Sequence, residues 1–286
     1  MKIREAQAKA RVLTEALPYM RKWGGATVVI KAGGEVLDDR AHLESLATDV
    51  VLMRLVGINP IVVHGGGRQI SDAMRRRGRS PSFVAGQRRT DAETMAIVKE
   101  VLGEVNRGMV AAMNRHGRQA VGISGEDGNL LVARPLVAGH ADLDFTGEVE
   151  AVNPGILEVA IEREFIPVVA PIGLGPGGCY NINADLAAAA VAAALRARKI
   201  VFMTNVPGLY RDLGDAGSLV SEITVDQLGK LLTEESLSDG MIPKITGVLE
   251  AMRAGVPQAH LLDGRMKHAL LLEIFTDEGV GTMVLP

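Results

Sequence analysis

The chain has 286 residues with 31 Lys and Arg against 34 Asp and Glu, a net charge of −3, and 47% hydrophobic residues, a balance that excludes a disordered chain or a collagen-like fibre. A nucleic-acid surface calls for a basic face and stacking aromatics, whereas aromatics here are only Phe 5, Tyr 3 and Trp 1. The single Cys179 excludes intramolecular disulfides and cysteine-cluster metal sites, and no window approaches the roughly 18 apolar residues of a membrane helix, so a cytoplasmic protein with neither membrane nor nucleic-acid partners is expected.

In chain order, Ile3, Ala6, Ala10, Leu13, Leu17 and Met20 recur every three or four residues and predict one amphipathic helix over 3–20. Residues 26–31 (ATVVIK) read as a buried strand ending at Gly33-Gly34. A helix over about 41–56 follows, and Asn59-Pro60 opens a second apolar strand that ends in Gly65-Gly66-Gly67. Further strands are predicted at 119–123, 130–134, 145–150, 166–170, 200–204, 258–262 and 280–284, and helices at 93–115, 155–164, 184–197, 224–233, 242–254 and 267–274. This alternation implies an α/β fold, a three-layer αβα sandwich around a mostly parallel sheet. The Gly/Pro-rich stretch 171–180 (PIGLGPGGCY) divides the chain. The expected organisation is an N-terminal helix (1–22), a first lobe (23–179) and a second lobe (180–286).

Within that stretch, residues 173–178 formally satisfy the dinucleotide fingerprint. The next strand ends Thr204-Asn205 without a carboxylate for a ribose, and Pro176 lacks an amide, so a connecting hairpin is expected instead. The P-loop and zinc-protease patterns are absent, and so is the nucleophile elbow G-x-S-x-G: Gly122-Ile123-Ser124-Gly125 comes near it, but Glu126 occupies the position of the last glycine.

Four segments stand out: Lys31 with Gly33-Gly34, His64 with Gly65-Gly66-Gly67, Asn181 to Asp185 opening a helix, and Gly240 to Lys244. Each alone has an ordinary explanation as a turn, a solvent lysine or a helix-start carboxylate. Together they place two glycine loops, two lysines and an acid at the carboxyl edge of one parallel sheet, which suits a polyphosphate chain.

These residues resemble the amino acid kinase family, and within it the members that phosphorylate N-acetyl-L-glutamate. The likeness runs from about Ala26 to the end through KAGG (31–34), VVHGGG (62–67), AVGISGEDG (120–128), YNINADLAAAAVA (180–192), VPGLY (206–210), GMIPK (240–244), LLDGR (261–265) and FTDEGVGT (275–282). The resemblance implies an acyl-amino-acid-binding and dimerisation lobe followed by an ATP-binding lobe. It also implies transfer of the ATP γ-phosphoryl group to a side-chain carboxylate in arginine biosynthesis, with Mg²⁺ carried mainly by ATP. By motif, Lys31, Lys244 and Asp185 are the expected catalytic residues, Asp185 orienting the two lysines. Gly66, Gly67, Arg88 and Asn181 fall on the substrate site. Gly33, Gly34, Gly65, Thr204 and Tyr210, with the segment 205–215, fall on the nucleotide site.

The chain departs from the family's pattern at Ala32, Glu35, Arg68, Arg89 and Asn205. Pairing of Glu35 with Arg68 or Arg89 is expected to offset a carboxylate near the phosphates, and Arg75 to Arg79 read as a solvated basic face. The N-terminal helix with its ALPY end resembles that of arginine-inhibited members, which implies arginine as inhibitor, Lys199, Glu273 and Gly279 as its contacts, and a dimer or hexamer of identical chains. A kinase for another acylated or carrier-bound acidic amino acid, and a non-catalytic regulatory paralogue, remain open alternatives.

Overall fold

The structure is a computed structural model and describes residues 3–84, 86–117, 119–138, 141–211, 215–233, 241–277 and 279–286. The chain opens with helices α1 (Ile3–Glu15) and α2 (Leu17–Trp23), then β1 (Thr27–Ala32), α3 (Glu35–Asp38), α4 (Arg40–Leu55), β2 (Asn59–His64) and α5 (Gly67–Arg76). Next come β3 (Phe83–Val84), β4 (Gln87–Arg88), α6 (Ala92–Asn114), β5 (Ala120–Ser124), β6 (Leu131–Ala138), β7 (Ala141–Val152), α7 (Gly155–Glu162), β8 (Ile166–Ala170), β9 (Ile172–Gly175) and β10 (Gly178–Ile182). The remainder is α8 (Ala184–Ala194), β11 (Lys199–Thr204), β12 (Glu222–Thr224), α9 (Val225–Thr233), α10 (Ile242–Arg253), β13 (Ala259–Asp263), α11 (Ala269–Phe275) and β14 (Thr282–Leu285).

Eight strands form the central sheet in the order β12-β14-β13-β11-β1-β2-β8-β5, parallel throughout except between β13 and β14. Strand alternation sorts β1 to two cores: Val28, Ile30 and Ala32 pack with residues of α4, α6 and α11, while Val29 packs with α8 and α10. Helices therefore cover both faces, and the layers are αβα. Each fully buried Val or Ile contributes about 1.5–3 kcal/mol relative to exposure. Helix starts are set locally: the Asp39 carboxylate accepts from the amides of Ala41 and His42, and Asp91 from Thr94.

Two features differ from the sequence-based expectation. The single helix over 3–20 is two helices, because Pro18 has no N–H to give to the carbonyl four residues back and opens α2 instead. No residue of α1 is buried; Ile3, Val12 and Leu13 are 77%, 64% and 66% exposed, so its apolar stripe does not pack on its own lobe. Second, the strands over 130–134 and 145–150 do not join the main sheet. As β6 and β7 they close a four-stranded barrel with β9 and β10, through antiparallel hairpins β6–β7 and β9–β10 joined by parallel pairs. The 173–178 glycine pattern is the turn region of the β9–β10 hairpin, and position 180 lies inside β10. No helix among the described residues is long and apolar enough to cross a membrane.

Candidate functional site

β1 sits between β2 on one side and β11 on the other, so the chain path diverges at β1 and leaves a crevice at the carboxyl ends of these strands. A cavity of about 220 Å³ opens there, lined by Lys31, Gly33, Gly34, Gly65, Gly66, Gly67, Arg88, Asn181 and Asp185 together with Ile70, Phe83, Leu102 and Thr146. Gly34 turns with φ +49, a conformation that side chains oppose, at the start of α3.

Lys31 shares the β1 face of Val29, which points it at α8. Its Nζ lies 2.9 Å from Asp185 Oδ1, both side chains being buried. That oxygen has no hydrogen bond of good angle, so the contact is ionic. Lys244, in the first turn of α10, approaches the other oxygen of Asp185 at 3.7 Å. One carboxylate thus faces two ammonium groups, one per oxygen. Burial draws the Lys244 ammonium below its usual range, Asp185 opposes that shift, and the Lys31 charge adds to it. Asp185 is also in the first turn of α8, whose N-cap Asn183 accepts from the amides of Asp185 and Leu186, so the helix start favours negative charge at this spot.

Arg88 is 7% exposed. Its Nη2 donates to the Gly67 carbonyl and to Ser71 Oγ at 2.7 Å each, and its guanidinium lies 4.8 Å over the Phe83 ring. Among the described residues no carboxylate pairs with it. A buried cation of this kind in a cavity wall is equipped to receive an anionic ligand. Asn181 Nδ2 donates to Thr90 Oγ1 at 3.2 Å, which fixes its amide at the opposite wall.

His64 closes β2 just before the triple glycine. Burial pushes its imidazole down to about 4, so the ring is neutral. The Gly65 carbonyl can only accept, so Nδ1 carries the proton and donates to it at 2.8 Å. Nε2 then accepts from Asn106 Nδ2 at 3.2 Å, an amide that also donates to the Val168 carbonyl. A buried histidine and asparagine therefore hold the glycine loop from behind. Sequence reading singled out His64 only as part of the motif and missed Asn106, Phe83 and Thr146, whose side chains reach the site across large sequence separations.

Thr204 and Tyr210 stand outside this cavity. The Thr204 hydroxyl donates to the Val206 carbonyl at 2.6 Å and accepts from its amide at 3.1 Å, and Tyr210 bridges to Leu219. Residues 212–214 of the segment 205–215, and Gly240 of GMIPK, lie outside the described residues. The expected Glu35 pairing falls on a side chain that lies outside what is described; Arg68 Nη1 bonds Asp38 Oδ2 at 2.8 Å and Arg89 Nε lies 3.4 Å from Asp144. Arg75, Arg77 and Arg79 pair with Asp72, with Glu100, and with Asp91 and Glu93, as a solvated basic face does.

A second cavity of about 280 Å³ gathers Lys199, Glu273 and Gly279 with Tyr19, Lys22 and Trp23 of α2 and with His260. Lys199 Nζ lies 2.9 Å from Glu273 and 4.7 Å over the Trp23 ring, and His260 Nδ1 lies 2.8 Å from the same Glu273 oxygen. Burial pushes the Glu273 carboxyl up, but His260 and Lys199 outweigh it and hold it down to about 2. Trp23 and His260 were missed by sequence reading because neither belongs to a motif.

Residues 26–263 match the sequence model of the amino acid kinase family. The acetylglutamate kinase of Chromobacterium violaceum is 49% identical over 287 residues, covering 98% of each chain. That of Moorella thermoacetica is 47% identical, covering 97% of each. Among solved structures, an N-acetylglutamate synthase from Neisseria gonorrhoeae complexed with coenzyme A and N-acetyl-glutamate has a TM-score of 0.87 at 27% identity over 97% of this chain, which spans 63% of the synthase's length. The carbamate kinase of Giardia lamblia bound to AMP-PNP has a TM-score of 0.68 at 15% identity, covering 91% of this chain and 98% of that one, a likeness of fold alone.

Proposed function

The chain belongs to the amino acid kinase family, and from that premise we propose that it transfers the γ-phosphoryl group of ATP to the side-chain carboxylate of N-acetyl-L-glutamate, forming an acyl phosphate in arginine biosynthesis. The observation that carries this reading is the Lys31–Asp185–Lys244 contact beside two glycine loops and a buried arginine in one crevice, together with relatives of that activity at 47–49% identity over nearly the whole chain.

A carboxylate is ionised near neutral pH and needs no general base, so catalysis reduces to alignment and charge neutralisation. Lys31 and Lys244 supply compact positive charge on either side of the transferring phosphoryl group, and Asp185 keeps them from repelling each other out of place. The backbone amides of Gly33 and Gly34 and the α8 N-terminus receive phosphate oxygens; the Gly65 amide is already given to the Ala32 carbonyl at 2.7 Å, so Gly65 serves by leaving room beside Gly33, and the nucleoside extends past the end of β11 toward Thr204 and Tyr210. Gly66, Gly67, Arg88 and Asn181 hold the acyl amino acid, Arg88 by its α-carboxylate. Mg²⁺ bound with ATP would screen the phosphate charge; among the described residues Asp185 is the one carboxylate lining the cavity and it is committed to two lysines, which suits a metal carried by phosphates and water. The first lobe (23–179) serves mainly the acyl amino acid and dimerisation and the second (180–286) mainly the nucleotide, with Gly33 and Gly34 of the first reaching the phosphates and Asn181 of the second reaching the acyl amino acid; the division at 180 cuts β10, so the lobes are joined through that strand. The three charged catalytic groups in mutual contact weigh against a non-catalytic paralogue.

Hydroxylamine trapping tests the reaction. Hydroxamate formed only when both MgATP and N-acetyl-L-glutamate are present is the expected result, and none from folded protein that binds ATP would refute the substrate assignment.

Arginine as a feedback inhibitor is supported by the second cavity, where the Glu273 carboxylate suits a guanidinium and Lys199 a carboxylate. The α2 residues in its wall tie it to the N-terminus. The exposed apolar stripe of α1 supports pairing with the same helix of another copy, and hence a hexamer built from dimers in the cytoplasm. Deleting residues 1–22 removes Tyr19 and Lys22 from the cavity; the truncated enzyme is expected to keep kcat within about 3-fold and to lose arginine inhibition. Inhibition at the full-length arginine concentration would overturn this assignment.

A further inference from the structure

The two glycine loops touch at their bases, where a Cβ on Gly65 would sit 3.7 Å from the Gly33 Cα. At their outer ends one carboxylate joins them. Asp38, the last residue of α3, accepts from Arg68 Nη1 on Oδ2 and from Gln69 Nε2 on Oδ1, both at 2.8 Å. Arg68 and Gln69 are the second and third residues of α5, so this carboxylate also stands before a helix N-terminus that favours negative charge. The other amide atom of Gln69, Oε1, is buried without a partner; the side chain leaves an acceptor unsatisfied while its Nε2 stays on Asp38. None of these three residues lines the substrate cavity, so the bridge acts on the loops and not on a ligand.

We propose that Asp38, with Arg68 and Gln69, is a latch that sets the gap between the two glycine loops and so aligns the transferring phosphoryl group with the acceptor carboxylate. Asp38 is the positioning residue. The physical reason is that each loop is tied separately to its own surroundings, the first by the α3 amides on the Gly33 and Gly34 carbonyls and the second by His64 and Arg88 on the Gly65 and Gly67 carbonyls, whereas Asp38 joins the segments that follow the two loops to each other. A displacement of about 1 Å in a reacting pair lowers the rate by up to about 100-fold, so a latch acts on kcat more than on ground-state binding. The pair is partly exposed, Arg68 at 65% and Asp38 at 21%, so it is open to screening by salt.

This inference rests on the phosphoryl-transfer reading, and the test separates the two. Asp38→Asn, Arg68→Ala, Arg68→Lys and the double variant Asp38→Asn/Arg68→Ala are compared with the wild type by hydroxamate formation and by Tm. Asp38→Asn keeps the shape but removes the charge and turns an amide toward Gln69. Its kcat is expected to fall about 10-fold with both KM values within about 3-fold. Arg68→Lys, which can still reach the carboxylate, should recover most of the rate lost in Arg68→Ala, and the double variant should be no slower than the slower single one. Wild-type kcat in Asp38→Asn overturns the latch, as does a rate loss that follows Tm and that Arg68→Lys does not rescue. A wild type that forms no acyl phosphate refutes instead the assignment of N-acetyl-L-glutamate as acceptor, and with it the latch as the device that aligns this acceptor.

Discussion

Asp185→Asn is expected to lower kcat by about 100- to 1,000-fold, the scale seen when one preorganised electrostatic group is removed from a transition-state site, with the KM for ATP changed by less than about 5-fold. The asparagine keeps the volume and the place in the first turn of α8, so folding and the helix start are retained. It does not keep the charge that stands 2.9 Å from Lys31 and 3.7 Å from Lys244. Two ammonium groups, 8% and 19% exposed, are then left to face each other without a counter-charge, and breaking a buried pair in this way is costly. The pH dependence has a definite sign. Burial already draws Lys244 below its usual range and Asp185 is the group that opposes the shift, so without it Lys244 loses its proton at lower pH. The alkaline fall in kcat should therefore move to lower pH in the variant than in the wild type. Steady-state rates of both enzymes from pH 6 to 9 check this; an unchanged kcat would remove Asp185 from the mechanism.

Arg88→Ala is expected to raise the KM for N-acetyl-L-glutamate about 10- to 150-fold, with the KM for ATP within about 3-fold, because a hydrogen bond between a charged guanidinium and a carboxylate contributes about 1.5–3 kcal/mol. The guanidinium is 7% exposed and held in one orientation by the Gly67 carbonyl, Ser71 and the face of Phe83, so little entropy is lost when a carboxylate docks. Arg88→Lys should restore only part of the affinity, since one ammonium cannot keep the Gly67 and Ser71 bonds while facing the ligand and sits poorly over the ring. Titration of initial rates with each substrate separates the two constants. A variant whose two KM values rise together would place Arg88 in support of the Gly67 loop and not on the substrate.

Much of the fold was legible because its signals are local. Residues 26–31, 166–170 and 200–204 lie in the sheet as β1, β8 and β11 because unbroken β-branched or apolar runs can only be satisfied by burial on both faces. Lys31 and the two glycine loops share one cavity for a related reason: β1 and β2 are parallel neighbours, so their carboxyl ends lie on the same edge. Arg88, Asn181 and Asp185 reach that cavity from β4, β10 and the start of α8, outside the parallel sheet, so strand direction did not place them there. Pro18 was equally visible and should have divided the first helix.

What a one-dimensional reading determined about this protein is therefore the αβα class, the edge on which the site lies and the residue types gathered there, since these follow from hydrophobic period, glycine placement and strand direction. The tertiary structure alone decided that β6, β7, β9 and β10 leave the sheet to close a barrel, that Asn106 donates to the free nitrogen of His64, that Trp23 covers Lys199 from a helix 176 residues away, and that Arg68 answers Asp38. Each of these joins residues far apart in sequence, and such pairings are selected by packing and charge compensation in the assembled core, which no local pattern encodes.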